Sequence, residues 1–509
     1  MSAIDRLRPL GRRVKAWRAR EDAAFLDPVR RITRVALPGE RLVAMTFDDG
    51  PTAAPARPGG SRPLTLVLAE TLEQFGAAGT FNVIGSTAHG YPDRPGRPGT
   101  PYWNGVRYDH YPDFGADGEA GVAARPDLAR RLVRGGHELA NHSYAHLLFG
   151  PKPLVYRRRA SFRGAAEAAA DLIRLHELVE RETGQTLRLA RPPHYVDRTR
   201  DGRTAYDLFD WMGYAYLAAS FDGGGWLPSS GDYRADVDAM VRPLERALAA
   251  DADALCGQIV FQKDGYNMSR QAPVVDALPR QLERLAAAGY RVVTVSELCT
   301  LSPFSDLPPG GPVQAAAARL LHAGFAVAYR DNAVRPARRM TAAELAVTML
   351  PRRAWLAVLG RRLGLEGEAP ALRAWAAANA APTWPAAPPA PPAAAGRARA
   401  LYAAAWAFAH ELRLWGRNAP RPAEGVDADR LRRAVAAWLD AAVAQGAMEG
   451  SQAQARWSAA GAALEAALEG AAARGGRARL RGEVLPALAE ALAPAADAVP
   501  HAVSRASLR

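Results

Sequence analysis

Only two cysteines occur in 509 residues, Cys256 and Cys299. That scarcity excludes a disulfide framework and a thiolate metal site, and two core thiols are the simplest reading. Lysine is nearly as rare. Lys15, Lys152 and Lys263 are the full set, so arginine supplies almost all of the 65 cationic side chains. No run of about 18 apolar residues is present, which argues against a membrane-spanning helix. The N-terminus is basic but broken by charge throughout, without the apolar stretch of a secretory signal, so a cytoplasmic location is the default expectation. A net charge of +13 would suit an anionic partner such as nucleic acid or a wall polymer. Its distribution weakens that idea: residues 1–36 carry ten basic against four acidic side chains. Much of the excess is therefore one basic N-terminal helical segment with a solvated face, and nucleic acid is disfavoured as a partner.

A chain of this length exceeds a single core and divides into domains. Between residues 37 and 300, short apolar runs alternate with stretches of helical periodicity. Leu42 to Phe47 reads as a buried strand that ends on the turn Asp48-Asp49-Gly50-Pro51. Strands are expected at 80–84, 138–140, 187–190, 215–221, 258–261 and 290–295, with helices at 64–75, 126–134, 165–183, 204–212, 235–249 and 274–288. This rhythm predicts an α/β domain, a parallel sheet or barrel with helices outside. In such folds the chemistry sits on loops at the strand C-terminal ends. His89 to Ala124, rich in Gly, Pro and Tyr, is too long for an ordinary connection. It reads as a substrate-shaping loop, with a decorative insertion as the alternative. Beyond residue 300 the text turns to alanine, arginine and proline. It divides into a helix-loop-helix over 301–352, a helical segment over 353–381, a stiff Pro/Ala linker over 382–395 and an Ala-rich helical region over 396–509.

Two clusters fall where the chemistry should lie. Asp48 and Asp49 are adjacent at a strand end, and His142 and His146 are four apart, a spacing that one helical turn would put on one side. One carboxylate and two imidazoles make a facial ligand set with positions left for water. Adjacent aspartates at a strand end point differently, so one can bind a cation while the other faces the water. Either pair alone is a weak signal. Both at successive strand ends are a strong one. Such a set takes Zn2+ by default and also suits Co2+, Ni2+ or Fe2+.

These residues resemble the NodB-type polysaccharide deacetylases. Thr46-Phe47-Asp48-Asp49-Gly50-Pro51 is similar to the family's first motif, His142-Ser143-Tyr144-Ala145-His146 to its second, and Arg191-Pro192-Pro193-His194 to its third. The resemblance spans about half the chain. It implies a distorted (β/α) barrel and hydrolysis of N-acetyl, less readily O-acetyl, groups from a glycan. It further implies Asp48 as general base, Asp49, His142 and His146 as metal ligands, Arg191 orienting Asp48, and the His194 backbone N–H donating to the oxyanion.

The last two motifs depart from the pattern. Asp222-Gly223-Gly224-Gly225-Trp226 stands where relatives have Asp-x-x-Asp-Trp, and Phe261-Gln262-Lys263-Asp264 where they end in Leu-x-His. Gly225 and Lys263 thus replace the dyad that protonates the leaving amine. Trp226 remains as a candidate wall of the acetyl pocket. In a chain that writes its positive charge as arginine, a lysine here points to selection for an amine. Lys263 is then a replacement acid, tuned by Asp222 or Asp264. The alternative is a lysine that only binds substrate, on a catalytically weakened carbohydrate-binding or wall-attachment protein of the same fold.

Residues 316–352, with Gly324-Phe325-Ala326-Val327-Ala328-Tyr329-Arg330-Asp331-Asn332 and then Thr341-Ala342-Ala343-Glu344-Leu345, resemble one S-layer homology repeat whose second helix opens on a capping box. That resemblance implies a cell-wall polymer as partner and a wall-associated location; a generic helix-loop-helix is the alternative.

Overall fold

The computed structural model describes residues 26–27, 30–87, 102–103, 106–107, 119–152, 160–226, 229–267, 271–350, 360, 363–365, 375, 405–406, 409, 420–421, 423–444, 448–472 and 481–493. Most of the basic segment 1–36, most of the excursion 89–124, and the linker 382–395 lie outside them. The described residues form two compact units, one within 31–305 and 363–378, the other within 1–30, 306–362 and 379–509.

The larger unit is built on β1 (Arg31–Ile32), β2 (Leu42–Asp48), β3 (Thr80–Val83), β4 (Tyr102–Trp103), β5 (Val106–Arg107), β6 (Glu138–Asn141), β7 (Leu189–Ala190), β8 (Ala215–Leu217), β9 (Phe221–Asp222), β10 (Ile259–Lys263) and β11 (Arg291–Val293). β4 and β5 form a separate antiparallel pair. The other nine make one parallel sheet in the order β1-β8-β7-β6-β3-β2-β10-β9, with β11 also paired to β2. Its edges turn toward each other. Past β1 the Val35 N–H donates to the Gly257 carbonyl at 2.9 Å, just before β10, while β8 runs on into β9, which pairs with β10. The result is a distorted (β/α) barrel. Helices α1 (Leu64–Gln74), α2 (Pro126–Arg134), α3 (Ala165–Thr183), α4 (Ala205–Met212), α5 (Tyr233–Ala250), α6 (Val274–Ala287) and α7 (Val295–Leu301) alternate with the strands.

Parallel strands covered on both faces read as continuous apolar runs, and all seven residues of β2 are buried. Ile32, Ala44, Ala140, Leu189, Leu217, Ile259 and Val293, one from each of seven strands, meet in a single core cluster. Nearer the strand ends, Phe47 and Phe81 stack at 4.8 Å between centroids, both fully buried. Phe81→Ala should therefore lower the unfolding free energy of this unit by about 3–5 kcal/mol, read from chemical denaturation.

The smaller unit contains α8 (Pro312–His322), α9 (Ala342–Met349), α10 (Ala428–Ala444), α11 (Gly450–Ala472) and α12 (Arg481–Leu492). Thr341 and Glu344 form a reciprocal capping box at the start of α9. The chain before α9 is paired on two sides. Val426 N–H donates to Met340 O at 3.0 Å and Ala342 N–H to Glu424 O at 2.8 Å, while Arg481 N–H donates to Arg338 O at 2.8 Å. The openings of α9, α10 and α12 thus come together. Fully buried Arg481 also donates from Nε to Val334 O at 2.8 Å and lies over the Tyr329 ring.

Candidate active site

Strand register alone assembles the site. Asp48 at the end of β2 sits opposite Asn82 of β3 on one side and Lys263 of β10 on the other. Val83 pairs with Asn141 of β6, so His142 follows at the same level. Asn141 pairs with Ala190 of β7, so Arg191 follows there. Five adjacent parallel strands, in the order β7-β6-β3-β2-β10, therefore deliver Arg191, His142, Asn82, Asp48 and Lys263 to one rim.

Asp48 is held by one oxygen. Its Oδ1 accepts from Arg191 Nη1 at 2.5 Å and from Asn82 Nδ2 at 2.6 Å. Oδ2 turns to the imidazoles, 3.7 Å from His142 Nε2. Arg191 is fully buried, and its remaining donors go to Thr46 Oγ1 at 3.0 Å, Leu217 O at 3.3 Å and Ala218 O at 3.2 Å. Burial works against the guanidinium's charge, but the Asp48 carboxylate beside it holds its pKa above the ordinary value.

Asp49 faces the other way. Its Oδ1 lies 3.2 Å from His142 Nε2 and 3.0 Å from His146 Nε2, and its Oδ2 2.9 Å from Lys263 Nζ. One ligand atom from each of Asp49, His142 and His146 can be chosen so that all lie within 4.8 Å of one another. His142 Nδ1 is 2.8 Å from the Arg191 carbonyl, an acceptor, so the proton belongs on Nδ1 and the Nε2 lone pair faces Asp49. That tautomer, fixed by a backbone acceptor, is the usual arrangement of a metal-binding histidine. The donor set fits a divalent cation. Burial alone would raise the Asp49 carboxyl, but the Lys263 ammonium holds it well below the usual carboxylate range, as do the two imidazoles when they are protonated.

The His142–His146 segment is not a helical turn, as the four-residue spacing suggested. Ser143 (φ 74°) and His146 (φ 51°) are left-handed, and the imidazoles converge through a loop, with ring centroids 5.1 Å apart. Asp49 (φ 82°), His194 (φ 54°) and Tyr195 (φ 54°) share this conformation, so five of the seven left-handed non-glycine residues described lie on this rim. Such positions persist where surrounding structure over-determines them. Gly50 shows the crowding: a Cβ there would lie 1.8 Å from Asp264 Oδ2.

The remaining sequence candidates fall around this centre. Asp222 is exposed, accepting from Gly224 N–H at 2.9 Å and from Trp226 Nε1 at 3.2 Å. Asp264 is buried and accepts from Thr65 Oγ1 at 2.7 Å. Lys263 Nζ pairs with the Asp49 carboxylate. Gly225 adjoins Lys263, a Cβ built on it lying 3.8 Å from Lys263 Cβ. His194 sits in a 3-10 turn (Pro193–Tyr195), its ring 5.5 Å from that of His146. Asn82, the second donor to Asp48, escaped the sequence reading. Its signal was a lone amide in the middle of the apolar run Thr80-Phe81-Asn82-Val83-Ile84. A cavity of about 510 Å³ is lined by the loops after β2 and β10, with Arg57, Tyr233, Tyr266 and Asp276 on its wall.

A family model described as polysaccharide deacetylase matches residues 37–206. The chain is 25% identical over 274 residues to a peptidoglycan-N-acetylglucosamine deacetylase of Bacillus cereus, spanning 54% of this chain and 95% of that one. It is 23% identical over 261 residues to a peptidoglycan-N-acetylmuramic acid deacetylase of Bacillus subtilis, spanning 51% of this chain and 39% of that one. A solved structure of a CE4 family pseudoenzyme from Bacillus anthracis is similar over 54% of this chain and 69% of the other, with 17% identity and a TM-score of 0.35.

Proposed function

We propose that this chain, which carries a polysaccharide deacetylase domain, removes N-acetyl groups from the amino sugars of a peptidoglycan-like glycan and needs a divalent cation to do so. The observation that carries the reading is the division of labour between adjacent aspartates: Asp49 joins the two histidines, and Asp48 is pinned through Oδ1 alone. Asp49, His142 and His146 would hold the cation, which when bound supplies Lewis acidity to the acetyl carbonyl and to the attacking water.

Asp48 Oδ2 takes the proton of that water, with Arg191 and Asn82 fixing the carboxylate's orientation. An acetamide is a poor electrophile, so charge building on its oxygen must be met by a preorganised donor, here the His194 N–H. Collapse of the tetrahedral adduct breaks the C–N bond, and the nitrogen needs a proton. Lys263 supplies it from Nζ. Trp226 walls the acetyl group.

Chelator-treated protein should lose acetate release from N-acetylglucosamine oligomers and from peptidoglycan, and regain it with Zn2+, Co2+ or Ni2+. Full turnover by protein shown by elemental analysis to be metal-free would refute the reading.

A further inference from the structure

Asp171 lies midway along α3 and takes no part in the chemistry above. Its Oδ1 accepts the Tyr144 N–H at 2.7 Å and its Oδ2 the Ala145 N–H at 2.9 Å. These are two of the three residues between His142 and His146. Three residues along the same helix, the Arg174 guanidinium lies 3.7 Å over the Tyr144 ring. From the other side, the Tyr144 carbonyl accepts from the Gly85 and Ser86 N–H groups at 2.9 and 2.7 Å. The Tyr144 ring also fills the space beside Gly85, where a Cβ would come within 2.1 Å of it. The loop is gripped on both sides.

The grip has a physical purpose. Left-handed residues such as Ser143 and His146 cost about 1–2 kcal/mol each relative to ordinary backbone, so a free loop would relax out of this shape. A carboxylate accepting two adjacent amides fixes the peptide planes between the imidazoles through charge-assisted bonds. Burial pushes the Asp171 carboxyl up to about 6, opposed by the Ser143 hydroxyl, the Ala145 and Tyr144 amides and Arg174. Above neutral pH it is the charged acceptor that this loop requires.

We infer that Asp171 is a positioning residue for the cation site, setting where His146 Nε2 stands relative to His142 Nε2 and Asp49 Oδ1. This rests on the reading above that these three residues hold a divalent cation. Co2+ titration of metal-free, full-length protein at pH 8, followed by its visible absorption, separates the two claims. Asp171→Asn keeps the shape of the side chain but offers a single acceptor oxygen. It should weaken Co2+ binding by about 10–100-fold and alter the absorption bands, while the unfolding midpoint of the metal-free protein stays close to wild type. An Asp171→Asn protein that binds Co2+ as tightly as wild type, with the same spectrum, overturns this inference and leaves the proposed function standing. Wild-type protein that binds no Co2+ overturns both. Should the variant fail to fold, hydrogen exchange in the wild type decides. Protection of the Tyr144 and Ala145 amides comparable to that of β6 supports the clamp, and exchange at the rate of an open loop refutes it.

Discussion

Asp48→Asn should cut kcat for acetate release by about 10²–10⁴-fold, the usual range for loss of a general base, while cation binding is retained. Both Arg191 Nη1 and Asn82 Nδ2 donate to Oδ1. An asparagine will therefore keep its carbonyl oxygen on them and turn its amide nitrogen to where Oδ2 was. A proton donor then replaces the acceptor that must activate water. The cation ligands, on Asp49 and the histidines, are untouched. The substitution also removes the counter-charge of a fully buried guanidinium, which is expected to lower stability by about 3–5 kcal/mol. Activity must therefore be read well below the variant's melting temperature. Turnover at the wild-type rate would eliminate Asp48 as the base. Loss of turnover together with loss of the cation would instead make Asp48 a ligand.

Much of this site was legible because parallel α/β folds write their chemistry at strand ends. The apolar run Leu42–Phe47 and its Asp-Asp-Gly turn fixed where β2 stops, and the run before His142 fixed β6. Once β2, β3 and β6 are neighbours, the aspartates and histidines have to meet. The His142–His146 geometry was not legible. Four-residue spacing suits a helix, but Ser143 and His146 adopt left-handed backbone held by groups from α3 and from the loop after β3, which are distant in sequence. Tertiary contacts decided there, not local propensity. Asp171 was hidden for the same reason: an acid among Ala168, Leu172 and Leu175 looks like a tolerated polar residue on an apolar helix until the loop that it binds is seen. In the smaller unit a capping box could be read at Thr341–Glu344, whereas the meeting of the α9, α10 and α12 openings depends on pairings between residues 338–342 and positions some 80 to 140 further on. No local pattern encodes that.

Lys263→Met should move two measurements in opposite directions. Turnover is expected to fall by about 10²–10⁴-fold, the contribution of a positioned proton donor, while affinity for Zn2+ or Co2+ rises. The second effect follows from charge. Lys263 Nζ lies 2.9 Å from Asp49 Oδ2, the carboxylate whose other oxygen faces both histidines. An ammonium there competes for the negative charge that a divalent cation needs and repels the cation directly; two unit charges at 4 Å interact by about 4 kcal/mol at an effective dielectric constant near 20. A methionine of similar length removes the charge and keeps the volume of a buried side chain. If both turnover and affinity fall, Lys263 serves only to hold Asp49 in place. If affinity rises and turnover holds, the leaving amine takes its proton elsewhere. The double variant Lys263→His, Gly225→Asp tests the same point from the other side. It rebuilds an imidazole–carboxylate pair at adjoining positions, although Gly225 is left-handed (φ 74°) and an aspartate there carries about 1 kcal/mol of backbone strain. A gain over wild type would mean that the lysine marks a lost proton donor. No gain, alongside an inactive Lys263→Met, would mean that the ammonium does the work of the imidazole, and that its repulsion of the cation is the physical consequence of making that exchange.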